Sequence, residues 1–486
     1  MIIYIHRLLF AFIFWVFLLI QLETTSGCKK EDPKTNDTVV TPPVIIPDSV
    51  MPTYSDDYGQ YASIDNSGYW GPYNLHDPSI IKYKDYYYIY STDASYGNNG
   101  KCGIMLRKSK DLVNWKFVGW VFNGVPPKAL AFMQANQPGY KQLSIWAPYI
   151  IKVGDQFRLY YSVPGNDIHL ACIALATSLY PDGPWKDEGI VLTCIPGDLY
   201  NAIDPSVTID AVTGKHWMTY GSYDDGIFTV ELDPATGKRT NGSDLGKKIA
   251  MRTQRHDAIE GSEILYNPDQ KMYYLFVSYD WLEDNYNVRV GRSSTPDGPF
   301  LDFNGNDMAA PGDNLPMITA QYQFNNHSGW QGFGHCAVFN DAGNYYYVSQ
   351  ARLGSNKYFM DLHIHRLIWT PSGWPVISPE RYVYVPQTMI TSDSIVGKWE
   401  HIDLVKTTSK NQSITIELLA NGTISGVDAS SWTFSNGWLT LKFLNEETVY
   451  SAKVFREWDW ENKRQTIVYT GNSVSGQSGW GKKIIN

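Results

Sequence analysis

The feature that most restricts how this chain can fold is a segment that occurs five times. Its copies are His76-Asp77-Pro78-Ser79-Ile80-Ile81, Trp146-Ala147-Pro148-Tyr149-Ile150-Ile151, Ile203-Asp204-Pro205-Ser206-Val207-Thr208, Ile259-Glu260-Gly261-Ser262-Glu263-Ile264 and Gly334-His335-Cys336-Ala337-Val338-Phe339. Each meets a turn signal (Lys84-Asp85, Gly154-Asp155, Thr213-Gly214, Pro268-Asp269, Ala342-Gly343) and then an aromatic run such as Tyr86-Tyr87-Tyr88-Ile89-Tyr90. Strand, tight turn, strand is a β-hairpin. Counted at the second residue of each copy, the spacings are 147−77 = 70, 204−147 = 57, 260−204 = 56 and 335−260 = 75. Hairpins at such periods build propellers. The expectation is an all-β chain with a five-bladed β-propeller. The phrases Pro181-Asp182-Gly183-Pro184-Trp185 and Pro296-Asp297-Gly298-Pro299-Phe300 are read as supplying outer strands.

In a propeller the first strand of every blade lines the central channel, so equivalent positions at its start converge. That slot reads Asp77, Ala147, Asp204, Glu260 and His335. Asp-Pro pairs are also ordinary turn starters, which would account for Asp77 and Asp204 but not for Glu260 and His335. Three acids facing one axis would repel at a cost, so a slot that holds them together with a histidine points to chemistry.

Outside the repeat the chain divides further. His6 and Arg7 precede the apolar run Leu8–Ile20, and Thr25-Ser26-Gly27-Cys28 follows. This has the layout of a secretory signal, and its 13 apolar residues fall short of the roughly 20 a membrane span needs. Ser-Gly-Cys resembles a bacterial lipobox, with Thr25 where leucine is usual. Cys28 is then the lipidated first residue of the mature chain, and Lys30-Glu31-Asp32 resembles an export tag of surface lipoproteins. The division expected is a signal over 1–27, a flexible tether over 28–55, the propeller over 56–387 and a C-terminal β-domain over 388–486. The last, with Asn421-Gly422 and Asn436-Gly437 as hairpin turns, is read as a small antiparallel barrel or sandwich. Cys102, Cys172, Cys194 and Cys336 show no metal spacing and are taken as buried free thiols. A net charge of −9 argues against a nucleic-acid partner.

His76-Asp77-Pro78-Ser79, Trp146-Ala147-Pro148, Ala202-Ile203-Asp204-Pro205-Ser206, Asp257-Ala258-Ile259-Glu260-Gly261 and Gly334-His335 together resemble glycoside hydrolase family 43, in particular its arabinanases. The resemblance covers about two thirds of the chain. It implies an inverting hydrolase with Asp77 as general base, Glu260 as general acid, and Asp204 raising the pKa of Glu260 and orienting it. It also implies an ion at the channel centre, usually calcium with a water shell, contacted by His335. One departure stands out: the family commonly has proline where Ser262 lies, and Glu263 adds a second acid. Strand alternation and the slot register keep Glu260 as the acid and turn Glu263 between blades, where no partner for it is evident.

Trp146, His76, Asn201 and Arg352 are candidate substrate contacts, Trp146 by stacking and the others through hydroxyl groups. The expected activity is cleavage of internal α-1,5-L-arabinofuranosidic bonds in arabinan. The alternatives are an exo-acting α-L-arabinofuranosidase or β-xylosidase on the same fold, and a non-catalytic glycan-binding propeller at the cell surface. The expected location is the outer membrane, facing outward as a monomer and touching lipid only through Cys28.

Overall fold

The computed structural model describes residues 52, 54–93, 101–142, 144–166, 169–444 and 448–485. The signal segment, Cys28, the Lys30-Glu31-Asp32 tag and almost all of the tether lie outside the described residues. The tether's expected last residues already belong to the folded body. Tyr54 packs edge-on to Tyr73 at 6.0 Å and 5.4 Å from Trp460.

Four of the five repeats fold as separate four-stranded antiparallel blades, each with its strands in sequence order. Their innermost strands are His76–Tyr83, Trp146–Val153, Ser206–Ile209 and Ile259–Asn267. The second strands, Tyr86–Thr92, Gln156–Pro164, His216–Tyr220 and Met272–Tyr279, are buried along nearly their whole length. Aromatic and β-branched side chains suit such two-sided burial. The turns between first and second strands use left-handed residues where the chain reverses tightly, Lys84 at φ 54° and Gly154 at φ 58°.

The fifth repeat departs from the expected count of separate blades. Its strands Ala337–Asp341, Asn344–Leu353, Asn356–Trp369 and Pro375–Ile377 belong to a seven-stranded sheet. The ten-residue strand Asn344–Leu353 outruns its first partner, and its far end pairs with Trp330–Gln331. Tyr322–Gln323 and Asn411–Gln412 then extend the same sheet. The two Pro-Asp-Gly-Pro phrases are also corrected: they are turns after the third strands of blades two and four, not outer strands.

From Gly397 onward every strand but Asn411–Gln412 joins an eight-stranded antiparallel sheet that curls until its edges nearly meet. A bridge between Thr423 and Ser431 and a 2.8 Å bond from Trp432 N–H to Gly422 O join those edges. The result is a nearly closed barrel, filled by Trp399, Ile416, Leu439, Leu441 and Tyr469 among others. Asn436 and Gly437, at φ 52° and 77°, make the two-residue turn their sequence signals. Barrel and propeller share one compact unit, tied by Arg366 to Glu457 at 2.8 Å and Thr470 Oγ1 to Ile377 O at 2.6 Å. Cys102, Cys172, Cys194 and Cys336 are buried free thiols.

Candidate active site

Five residues at one level of the propeller adopt left-handed backbone: Asp77 (φ 50°), Ala147 (40°), Asp204 (56°), Gly261 (58°) and His335 (46°). For non-glycine residues this conformation is sparse and costs energy, and it gathers at functional sites. The neighbouring blade holds each one. The N–H of Asp77 donates to Gln350 Oε1 (3.2 Å), that of Ala147 to Thr92 Oγ1 (2.8 Å), and that of Asp204 to Ser162 Oγ (3.0 Å). The N–H of Gly261 donates to Asp204 Oδ2 (3.1 Å) and that of His335 to Ser278 Oγ (2.8 Å). Gln350, on the second strand of the fifth repeat, thus closes onto Asp77 of the first.

This ring corrects the expected register by one residue. Gly261, not Glu260, is the fourth member of the slot, and Glu260 stands level with His76 and Trp146. Those three pair with Ser278, Thr92 and Ser162 respectively, each just before a β-bulge. The bulge lets two successive side chains serve the channel, so Glu260 reaches the same cleft from the preceding position. Gly261 is required here: a Cβ on it would lie 2.8 Å from His335 Cγ. Glu263 does point away, as expected. It is buried, accepts from Ser206 Oγ at 3.1 Å, and burial pushes its pKa up to about 8, although that bond and His335 oppose the rise. Held neutral, it costs far less than a buried charge would.

Asp77, Asp204, Glu260 and His335 line a cleft of about 750 Å³ together with His76, Trp146, Arg352, Thr92, Asp93, Ser144, Ile203, Leu282, Tyr358 and Met360. Asp77 receives three donors: His76 Nδ1 at 2.7 Å and His335 Nδ1 at 2.8 Å on Oδ1, and Thr92 Oγ1 at 2.6 Å on Oδ2. Burial alone would raise its pKa, but the two imidazoles outweigh it and hold Asp77 well below the usual carboxylate range. Asp204 goes the other way. Burial raises it to about 7, with Glu260 and Asp77 adding to the push and His335 opposing it. Asp204 is thus itself shifted upward by burial and its neighbouring acids. Glu260 Oε1 accepts from Tyr286 OH at 2.8 Å and Oε2 from Ser222 Oγ at 2.9 Å.

Among the candidate substrate contacts, His76, Trp146 and Arg352 border the cleft. Trp146 keeps 40% of its surface exposed, while Arg352 is buried and anchored on the backbone oxygens of Leu282 and Lys357. Asn201 does not reach the cleft; it accepts from the Cys194 thiol at 3.7 Å, in the segment leading to the third blade. Tyr286 and Ser222 were not signalled by any repeat. Both lie in less regular stretches, and only the folded chain brings them to Glu260.

His335 spends Nδ1 on Asp77. Burial opposes its charge, yet Asp77, Asp204 and Glu260 raise its pKa to about 10. Calcium takes about six to eight oxygen ligands, so His335 fits such an ion only as a single contact through Nε2 once that nitrogen has lost its proton, with Nδ1–H kept on Asp77 and water completing the shell. A tighter group of acids, Glu380, Asp459 and Glu461, already encloses the Lys482 ammonium at 3.0, 3.2 and 2.5 Å.

A β-propeller whose central cleft gathers three carboxylates suits the acid–base chemistry of a glycoside hydrolase. The chain belongs to glycosyl hydrolases family 43, which it matches over residues 71–375, and residues 379–481 match the C-terminal lipocalin-like domain of that group. It is 29% identical over 449 residues to extracellular endo-α-(1→5)-L-arabinanase 2 of Bacillus subtilis (strain 168), covering 84% of this chain and 93% of that protein. It is 31% identical over 322 residues to an extracellular exo-α-(1→5)-L-arabinofuranosidase of Cellvibrio japonicus (strain Ueda107), covering 63% of this chain and 86% of that one. The crystal structure of endo-1,5-α-L-arabinanase from Thermotoga petrophila RKU-1 superposes with a TM-score of 0.76 at 27% identity, covering 85% of this chain and 99% of that one.

Proposed function

We propose that this chain is an inverting endo-α-1,5-L-arabinanase, with Asp77 as general base, Glu260 as general acid and Asp204 positioning Glu260. The observation that carries this reading is that Asp77, bonded to His76 and His335, and Glu260, held by Tyr286 and Ser222, border one cleft with Asp204 between their blades. A base must be ionised, and the imidazoles of His76 and His335 keep Asp77 so. Asp204, raised to about 7, accepts the N–H of Gly261 and so fixes the peptide beside Glu260. Glu260, held by Tyr286 and Ser222, protonates the departing sugar oxygen while Asp77 draws the proton from an attacking water. Inversion needs these two carboxyls about 6.5–9.5 Å apart, with the water between. A calcium ion held by His335 Nε2 would take the place of that nitrogen's proton and keep positive charge facing the three acids.

The endo reading rests on the Bacillus subtilis and Thermotoga petrophila relatives, whose likeness extends over barrel as well as propeller. The Cellvibrio japonicus relative supports the exo alternative on the same fold. The fifth repeat counts as a fifth blade, supported by Gln350 closing the ring onto Asp77. Secretion is supported by relatives named extracellular, and anchoring through Cys28 at the outer membrane, as a monomer, remains part of the proposal.

Digestion of linear arabinan tests it. Viscosity should fall early, mixed oligomers should precede arabinose, and NMR of the first products should show an inverted anomeric carbon. Arabinose as the sole early product at constant viscosity would establish the exo reading, and net retention would overturn the base–acid pair.

A further inference from the structure

A second cavity of about 490 Å³ lies between propeller and barrel, lined by Asp284, Asn285, Gln321, Gln323, Gln331, Thr408, Ser409, Lys410 and Gln412. Five of these nine residues carry primary amides. We infer that this cavity is a second binding site for a neutral oligosaccharide, holding the arabinan chain away from the bond being cut. The inference rests on the arabinanase reading above.

The chemistry of the lining selects the ligand. A primary amide offers two N–H donors and two acceptor lone pairs in one plane, which matches neighbouring sugar hydroxyls that both donate and accept. Gln331 commits one N–H to Glu283 O at 3.2 Å, Gln323 one to His327 O at 2.8 Å, and Gln412 one to Gln323 Oε1 at 3.2 Å. Those bonds fix the amide planes and leave further donor and acceptor capacity in each. Gln321, only 4% exposed, braces the barrel loop through the oxygens of Thr407 and Ser409. The two charges, Asp284 and Lys410, balance, so the lining favours no anion or cation. Trp281, on the same loop as Asp284 and Asn285, stands 51% exposed, an indole of the kind that stacks on sugar rings.

Position links this cavity to catalysis. Leu282 borders the catalytic cleft and Asp284, two residues on, borders the amide cavity, a step of at most roughly 7 Å along the backbone. The loop between them is pinned from three sides. Arg352 Nε donates to Leu282 O at 3.2 Å, Gly332 N–H to Asp284 O at 3.0 Å, and Lys357 pairs with Glu283 at 2.9 Å. Tyr358, next to Lys357, is itself part of the cleft wall. A polymer crossing that loop would meet the amides directly.

The test uses full-length protein carrying Glu260→Gln, so that ligand survives, titrated calorimetrically with a linear arabino-oligosaccharide series. Two classes of site are expected, one of which disappears on adding Ser409→Ala and Gln412→Ala. In otherwise wild-type protein the same double change should lower kcat/KM on linear arabinan, relative to kcat/KM on an aryl arabinofuranoside, by about five- to tenfold, as losing one or two hydrogen bonds does. A single class of site, or an unchanged ratio of the two kcat/KM values, would overturn the second site. Failure of the unmodified enzyme to cut any arabinan would instead overturn the activity, a result the titration reports separately.

Discussion

Two places in this molecule crowd buried carboxylates around one cation, and they are built to opposite ends. At the channel, Asp77, Asp204 and Glu260 surround His335 and border an open cleft. At the joint between propeller and barrel, Glu380, Asp459 and Glu461 surround Lys482, which is 1% exposed. Burial would lower the ammonium's pKa, but the three acids hold it well above its ordinary value. A lysine has no second protonation state within reach there, so the joint is a permanent clamp. The channel cation is an imidazole, Asp77 and Asp204 are shifted in opposite directions, and its backbone is strained. The difference teaches that clustering of charge alone does not mark a catalytic site, since Glu380 and Glu461 at the joint are also shifted in opposite directions; access to a cleft does.

Substitution at the two centres should separate them most sharply. Lys482→Met strands buried carboxylates and should cost about 3–5 kcal/mol of stability, read as a lowered melting temperature with turnover of the folded fraction retained. Asp77→Asn should do the reverse, lowering turnover by about 10²–10⁴ with a smaller loss of melting temperature than Lys482→Met, because its imidazole partners can shed their protons. A Lys482→Met protein that melts normally would break the comparison. The next effect concerns the strained ring. Gly261→Ala would press a methyl onto His335 and should reduce both stability, by at least about 1 kcal/mol, and activity. Gly154→Ala, equally left-handed but facing open space, should reduce stability alone; equal activity losses in both would remove the ring from the account.

A smaller effect is expected with pH. Glu263 has its folded pKa raised to about 8, so its contribution to stability is complete below its unfolded pKa of about 4.3 and lost as pH rises through 8. Glu263→Gln should therefore gain melting temperature over the unmodified protein from pH 7 to 9, with no gain at pH 4. The least effect is assigned to the ion. Metal analysis should find calcium, and chelation should lower melting temperature or activity by removing a ligand of the native state; full retention of both in metal-free protein would leave His335 as the partner of Asp77 alone.

The sequence made the hairpin repeats legible because their turn residues and aromatic strands obey local rules. It also brought Asp77, Asp204, Glu260 and His335 to one channel. The register around Glu260 was misread because alignment began at the acids, and a bulge can move an acid one place without removing it from the cleft. The hairpin turn holds the better signal. The innermost strand ends six residues after the slot in four repeats, 83−77, 153−147, 267−261 and 341−335, which selects Gly261. Asn201 was misplaced because nearness in sequence to Asp204 does not set the direction of a side chain in an irregular segment. The merged fifth sheet depends on Trp330, Tyr322 and Asn411, which belong to no repeat, and Asn411 reaches Tyr322 from the C-terminal domain.

The most direct test compares two carboxylates three residues apart on one strand. Glu260→Gln and Glu263→Gln should both fold, and turnover on linear arabinan should be measured for each at pH 6. The account predicts a loss of about 10²–10⁴ in turnover for Glu260→Gln and near-normal turnover for Glu263→Gln. Near-normal turnover in Glu260→Gln, or a dead Glu263→Gln with native melting temperature, would contradict it.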